Sequence, residues 1–314
     1  MLSAVDAPRI ATAFDVGGAL AMSGPVARGV IGQIWRLETE RGAWAVKEWF
    51  ERPDADELAE GVAFQEAAVA GGVPAPSVVR TPAGNWWTDI DGAPVRVQGW
   101  IDLLDADPSV DPVAVGRLVA ALHQVPFIGT QLEHEWYTEP VGAERWDALV
   151  AASRVAGAPF AERLAARRDA LVSLDALIVP PGPTRTCHRD LWSDNLRATA
   201  AGGLCLIDWE DCGLADPSME LALVLWEFGR TDPARARALH DAYVDAGGPG
   251  RVRRRSEFSM LIGQLGHIGA RACADWLAAE DEEARAFAAS WFAEFVDDPH
   301  TMEQISMLLD AVRS

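Results

Sequence analysis

Lysine is almost absent. Of the 27 basic residues in the 314-residue chain, all but Lys47 are arginine. One site therefore keeps a compact ammonium on a flexible stem, which differs chemically from a planar guanidinium fork. Cysteine is also scarce. Cys187, Cys205, Cys212 and Cys273 form no CxxC pair and no zinc-ligand spacing, which excludes a zinc module or disulfide framework and leaves them as buried small apolar residues. Long apolar runs are missing, and an acidic residue comes early in MLSAVDAPRIATAFDV. Neither a membrane span nor a signal peptide is expected, and the sequence reads as cytoplasmic with no membrane partner. Positive charge is in deficit, with 47 acidic residues against 27 basic and a net charge of −20. Such a field repels a phosphodiester backbone, excludes nucleic acid as a partner, and favours cationic small molecules. The one dense basic run, Arg251 to Arg255, follows Gly247-Gly248-Pro249-Gly250 and reads as a solvated face where a helix opens. Apolar content of 49% is enough for a sizeable core, divided between two lobes at this length.

Against that background one stretch concentrates chemistry: Cys187-His188-Arg189-Asp190-Leu191-Trp192-Ser193-Asp194-Asn195, followed by Ile207-Asp208-Trp209-Glu210-Asp211. Moving a γ-phosphoryl group to a hydroxyl needs a carboxylate near that hydroxyl, oxygen ligands for Mg²⁺, and compensation for charge on the phosphate oxygens. Asp190 fits the first role; Asn195 and Asp208 fit the second, as hard oxygen donors of the kind that hold Mg²⁺ together with substrate phosphates. His-Arg-Asp alone is weak. With asparagine at the right offset and Ile-Asp-Trp downstream, it is specific.

These residues, His188, Asp190, Asn195 and Asp208-Trp209 within LIDWEDCGLADP, resemble the aminoglycoside phosphotransferase and choline kinase family, relatives of the protein kinases. The resemblance implies an α+β, two-lobed protein-kinase-like fold and an ATP- and Mg²⁺-dependent small-molecule kinase. It places a nucleotide-binding lobe of five antiparallel strands and one main helix at residues 1–99, a hinge at about 98–102, and a mainly helical catalytic and acceptor-binding lobe at 103–314. One departure stands out: small-molecule relatives often carry glycine where this chain has Arg189, the protein-kinase form.

Upstream, Arg9 to Phe14 reads as a short helix and Ala19 to Met22 as a strand. A glycine-containing loop from Ser23 through Val30 to Gly32 follows, where backbone N–H groups can approach phosphates. The run Gln33 to Thr39, the turn Glu40-Arg41-Gly42 and the run Ala43 to Trp49 read as a hairpin. WRLETERGAWAVKEW resembles the family's second and third strands, which implies that Lys47 contacts the α- and β-phosphates. Such a lysine is normally positioned by a glutamate of the next helix. That helix is expected over Asp54 to Ala70, with Leu58, Val62 and Val69 on its buried face; Glu66 is the favoured partner and Glu60 and Glu57 are alternatives. Asn85 to Ile90 and Pro94 to Gly99 complete the sheet. By resemblance, adenine bonds the backbone of Gly99, Trp100 and Ile101.

Asp111 to Gln124 is a helix capped by Asp111 with Pro112 at its first position; His123, near its end, reads as a packed or capping histidine. The region at about 126–183, with Trp136, Tyr137 and Trp146, is where relatives build acceptor specificity, although Glu133, Glu135 and Asp147 read more simply as exposed carboxylates. A short strand delivers Cys187, and an apolar strand, Leu204 to Ile207, ends at Asp208. Only seven residues separate Asp208 from Asp216-Pro217, too few for a long activation segment, which argues for a small acceptor. Further helices are expected at Ser218 to Gly229, Thr231 to Ala246, Arg255 to Ala279 and Asp281 to Val296. Glu220 reads as a cap or an internal ion-pair partner. Asp275, Trp276 and Glu280 to Glu283 form an aromatic and acidic cluster that suits either an amine ligand or a helix dipole. The expected activity is phosphorylation of a hydroxyl on a small, amine-bearing acceptor, an aminoglycoside first and hence antibiotic resistance. A metabolite kinase (amino sugar, choline-like or homoserine-like alcohol) and an idle nucleotide-binding module are the alternatives.

Overall fold

The computed structural model describes residues 1–29, 31–131, 134–297 and 299–313, apart from the side chains of Ala55, Glu57, Glu294 and Asp297. In chain order, the first elements are α1 (Ala7–Ala13), β1 (Ala19–Arg28), β2 (Gly32–Thr39), β3 (Gly42–Trp49), α2 (Ala55–Ala70), β4 (Val78–Val79), β5 (Thr88–Ile90) and β6 (Ala93–Gly99). Then come α3 (Pro112–His123), α4 (Glu135–Thr138), α5 (Ala143–Val155), α6 (Ala161–Asp175), β7 (Arg185–Cys187), β8 (Leu196–Ala198), β9 (Leu204–Leu206) and β10 (Gly213–Ala215). The chain ends in α7 (Pro217–Gly229), α8 (Pro233–Asp245), α9 (Ser259–Ala278), α10 (Glu282–Asp297) and α11 (Met302–Arg313). These residues gather into two compact units. Met1–Asp107, Gln124–Gln131 and His188–Gly213 make one; Pro108–His123, Leu132–Cys187 and Leu214–Ser314 make the other.

The first unit is built on an antiparallel sheet of order β1-β2-β3-β6-β4, with β5 also pairing β6. It has six strands where five were expected, because Val78–Val79 adds a short strand against Val97 and Gln98 of β6. Side chains alternate across a strand, so one face carries Leu37, Val46, Val95 and Val97, packed with Ile10 and Phe14 from α1 and its exit. The opposite face is left to Lys47 and its neighbours. Glu48, on the core side, is buried but fully engaged, accepting from the amide of Leu2, Gln33 Nε2 and Trp35 Nε1. That arrangement pins the chain start to the sheet.

Two local expectations change. The first strand continues to Arg28 instead of yielding to a loop after Met22. It is an edge strand, and a register shift between Ser23 and Ala27 absorbs Gly24-Pro25-Val26, with Gly24 at φ +137°. Proline and a left-handed glycine are tolerated at an edge bulge. Only 29–31 then remain between β1 and β2, and Val30 lies outside the described residues. In α2 the buried positions are Gly61, Val62, Phe64, Gln65 and Ala68, while Leu58 and Val69 are half-buried.

In the second unit α7 is mostly apolar and buried along nearly its whole length, its glutamates Glu220 and Glu227 included, as expected of a helix inside a large core. Asp216 caps it, accepting from the amides of Ser218 and Gly182 at 2.8 and 2.9 Å. His123 is a packed histidine: Nδ1 meets Tyr243 Oη at 2.8 Å and Nε2 meets Glu220 Oε2 at 2.6 Å, all buried. A second core joins Trp146, Phe160, Phe292 and Phe295 from α5, the start of α6 and α10, with Phe160 and Phe292 stacked at 4.0 Å. The helix α11 was not anticipated. All four cysteines are free and buried, and burial raises the Cys187 thiol well above its ordinary pKa and those of Cys205 and Cys273 to about 12. No helix among the described residues is long and apolar enough to cross a membrane.

One contact in the first unit ties α2 to the segment carrying Asp208. A methyl group on Gly61 would lie 2.2 Å from the carbonyl oxygen of Trp209, so only glycine allows the two backbones to approach this closely. Gly61→Ala is expected to destabilise the protein by about 1–3 kcal/mol through overpacking, measured by urea unfolding. An unchanged midpoint would show that α2 yields freely.

Candidate active site

The strands β8 and β9 form an antiparallel hairpin, with Leu196 opposite Leu206. Just beyond it, the amide of Ile207 donates to the carbonyl of Asn195 at 2.9 Å. His188 Nε2 donates to the Ile207 carbonyl at 3.1 Å, and its ring meets Trp209 edge-on at 5.1 Å. These ties lock the backbone after Cys187 to the backbone around Asp208. Trp209 is buried against Phe64 of α2, while Asp208 itself is exposed at φ +59°.

Within this frame Asn195 Nδ2 donates to Asp190 Oδ2 at 2.6 Å and to the Asp190 carbonyl at 3.0 Å. That fixes the carboxylate and leaves the Asn195 amide oxygen for another partner. Burial raises the Asp190 pKa to about 7, aided by Asp211, Asp208 and Asp194, while the Asn195 hydrogen bond opposes the shift. Arg189, at φ +67°, donates from Nε to the carbonyl of Asp211 and from Nη2 to that of Cys212 at 3.3 Å. Asp190, Asn195 and Asp208 are thus held in one compact unit. Their donor atoms are hard oxygens, and Asp190 feels the negative charge of Asp211, Asp208 and Asp194. That is the environment a divalent ion such as Mg²⁺ fits.

Lys47 lies on β3, largely enclosed, and its Nζ pairs with Glu210 Oε1. Glu66 is not its partner. Arg80 takes the Glu66 carboxylate with two parallel bonds of 2.7 Å, and such a planar fork out-competes a single ammonium. Glu60 is also committed, accepting from the amides of Thr130 and Gln131 and from the Thr130 hydroxyl. Burial pushes its pKa up, but those bonds hold it below the ordinary value. The Glu57 side chain lies outside the described residues. Sequence reasoning missed Glu210, although it stands two positions after Asp208 in Ile-Asp-Trp-Glu, and it missed Arg96, whose Nη2 also reaches Glu210 at 3.2 Å.

At the expected hinge the amide of Gly99 donates to the Ser77 carbonyl at 2.9 Å and that of Trp100 to Ala43 at 3.1 Å. Those two donors are spent inside the fold, which leaves carbonyls and the Ile101 amide for a ligand. Of the carboxylates considered for an acceptor, Asp147 is held by Arg168 and Asp275 by Arg271; Glu135 is exposed, and Glu133 lies outside the described residues.

The structure aligns along its length with spectinomycin phosphotransferase solved with ADP and spectinomycin, at 11% identity and a TM-score of 0.70, covering 100% of this chain and 99% of that one. An aminoglycoside phosphotransferase from Alicyclobacillus acidocaldarius subsp. acidocaldarius DSM 446 aligns at 18% identity and a TM-score of 0.62, covering 94% and 92%. At such identities the likeness shows the shared α+β protein-kinase-like fold, with its antiparallel sheet and mainly helical part. Homoserine kinase of Methylobacterium sp. (strain 4-46) is 27% identical over 241 residues, 74% of each chain. The model of the phosphotransferase enzyme family matches residues 24–255, most of the chain including Lys47, Asp190, Asn195 and Asp208, and the protein belongs to that family.

Proposed function

We propose that the protein transfers the γ-phosphoryl group of ATP, with Mg²⁺, to a hydroxyl of a small amine-bearing acceptor, an aminoglycoside being the leading candidate. The observation that carries this reading is Asp190, a carboxylate anchored by Asn195 and poised by burial with a pKa of about 7, where a general base works best. Asp190 takes the proton of the acceptor hydroxyl as its oxygen bonds to the γ-phosphorus; the bond from phosphorus to the β-γ bridging oxygen breaks, and ADP leaves. Asn195 and Asp208 would hold Mg²⁺, which when bound supplies charge stabilisation at the phosphate oxygens. Lys47, steadied by Glu210 rather than Glu66, would neutralise the α- and β-phosphates. Adenine would sit at residues 99–101, bonding the Ile101 amide or neighbouring carbonyls, with residues 1–99 as the nucleotide lobe, a hinge at about 98–102 and residues 103–314 as the acceptor lobe. The net charge of −20 supports a cationic acceptor and disfavours a nucleic-acid partner.

The similarity to a homoserine kinase over 74% of the chain favours a second reading, an ordinary metabolite alcohol as acceptor. A nucleotide-consumption screen over aminoglycosides, amino sugars, amino alcohols and homoserine separates the two. Turnover of metabolites alone would remove the resistance role, and no Mg²⁺-dependent turnover of any acceptor would remove the kinase reading.

Asp190→Ala is expected to lower kcat by about 10²–10⁴-fold, the usual contribution of a positioned base, with binding of a non-hydrolysable ATP analogue retained. Near-normal turnover would dismiss Asp190 as the base.

Asp190 also makes a stability prediction. Its pKa rises from 3.8 unfolded to about 7 folded, so between those values the native state holds more protons and stability falls as pH rises. The isosteric Asp190→Asn removes that penalty. In metal-free protein it should raise Tm over wild type at pH 8, by an amount on the order of a few kcal/mol in stability, and by much less at pH 4. An equal effect at both pH values would refute the buried-charge account.

A further inference from the structure

In the antiparallel pairing of β3 with β6, Lys47 stands directly opposite Arg96, so the two side chains share one face of the sheet. Like charges directly opposite each other destabilise a sheet, and a buried ionic group is often replaceable by apolar residues without loss. The neighbouring pair Val46 and Val97 shows what this sheet uses where only packing matters. Both cations are nevertheless enclosed, with side-chain exposures of 11% for Lys47 and 7% for Arg96.

Their compensation is incomplete. Among the described residues a single oxygen, Glu210 Oε1, pairs with both, so two positive charges face one negative charge there. Arg96 Nε is buried without a hydrogen-bond partner, an exception that calls for a cause in a folded protein. The Trp49 ring lies close to both, 5.5 Å from the Arg96 guanidinium and 5.8 Å from Lys47 Nζ, a low-dielectric wall that strengthens any interaction with an anion. Glu210 belongs to the irregular segment between β9 and β10, so its side chain can withdraw without breaking a strand ladder.

We propose that Lys47 and Arg96 form a paired-cation site for a polyphosphate, with Glu210 as the resident counter-ion that the incoming anion displaces. Several oxygens on adjacent phosphorus atoms satisfy both cations and the vacant Arg96 Nε–H at once, which one carboxylate oxygen does not. The assignment of the anion as the triphosphate of ATP rests on the proposed kinase activity. The pairing of the cations does not.

Calorimetric titration of the full-length protein with inorganic tripolyphosphate, a non-hydrolysable ATP analogue with Mg²⁺, and adenosine tests this. Arg96→Gln should weaken both polyphosphates by about tenfold or more, the loss of a charge-assisted bond, and leave adenosine unchanged. Arg96→Lys should recover most of the affinity, which guards against a misfolded glutamine variant. Glu210→Gln, which removes the competitor, should bind tripolyphosphate more tightly than wild type. Wild-type affinity for tripolyphosphate in Arg96→Gln overturns the proposal, as does an equal loss for adenosine or weaker binding by Glu210→Gln. Wild-type protein that binds tripolyphosphate but not the ATP analogue ends the nucleotide reading and leaves the anion site standing. Wild-type protein that binds neither polyphosphate ends the site.

Discussion

Negative charge gathered into a small volume is the constraint that governs this molecule. Asp190 sits where burial and the carboxylates of Asp211, Asp208 and Asp194 all oppose its ionisation, and the hydrogen bond from the Asn195 amide counters them in part. A structure that keeps such an arrangement must be stabilised elsewhere, because a largely enclosed carboxylate beside like charges works against folding. The stabilisation is visible. Trp209 is packed against Phe64 and His188, α2 approaches at Gly61 to contact distance, and the backbone around Asp208 is bonded to Asn195 and His188. The carboxylates are therefore held in place by neutral contacts, and their repulsion remains available to draw in a cation.

Backbone conformation serves the same end. Arg189 and Asp208 both have φ in the left-handed region, at +67° and +59°. A side chain there costs about 1–2 kcal/mol relative to glycine, which gives a physical reason for relatives to carry glycine at the position of Arg189. Here the guanidinium offsets that cost by donating to the carbonyls of Asp211 and Cys212. It is also buried. Arginine at this position therefore braces its own loop, and the protein-kinase-like spelling of the motif carries no implication that the acceptor is a protein.

The sheet with Lys47 on its third strand, the hairpin that brings Asn195 beside Ile207, and most helices were legible in the sequence because each rests on local spacing or periodicity. The partner of Lys47 was not. Helix phase placed Glu66 at the border of a buried face, but the choice among carboxylates was made by Arg80, whose fork reaches Glu66 from just beyond β4, outside the helix whose phase was read. Glu210 was passed over because it lies in an irregular segment, where no period says which way a side chain points. The first strand was cut short at Met22 because Gly24-Pro25 has the composition of a loop, whereas a bulge on an edge strand absorbs it. The two-residue strand Val78–Val79 is too short to show alternation. His123 read correctly as a packed residue, since a histidine ending an apolar helix meets its partners in the core.

The solitary lysine gains meaning from its neighbour across the sheet. The proposed reaction brings together two substrates of opposite charge, an anionic nucleotide and a cationic acceptor, on a chain of net charge −20. A uniform negative field would attract one and repel the other. The conflict is resolved if the positive charge that meets the nucleotide lies in a buried islet, Lys47 and Arg96 over Trp49, while the excess of acidic residues acts from the surface. Exposed charges are screened over about 8 Å at physiological ionic strength, whereas enclosed ones act at short range through a medium of low dielectric constant. Glu210 completes this division of labour. It neutralises part of the islet before an anion arrives, so that the two cations facing each other across the strands do not unsettle the sheet that presents them.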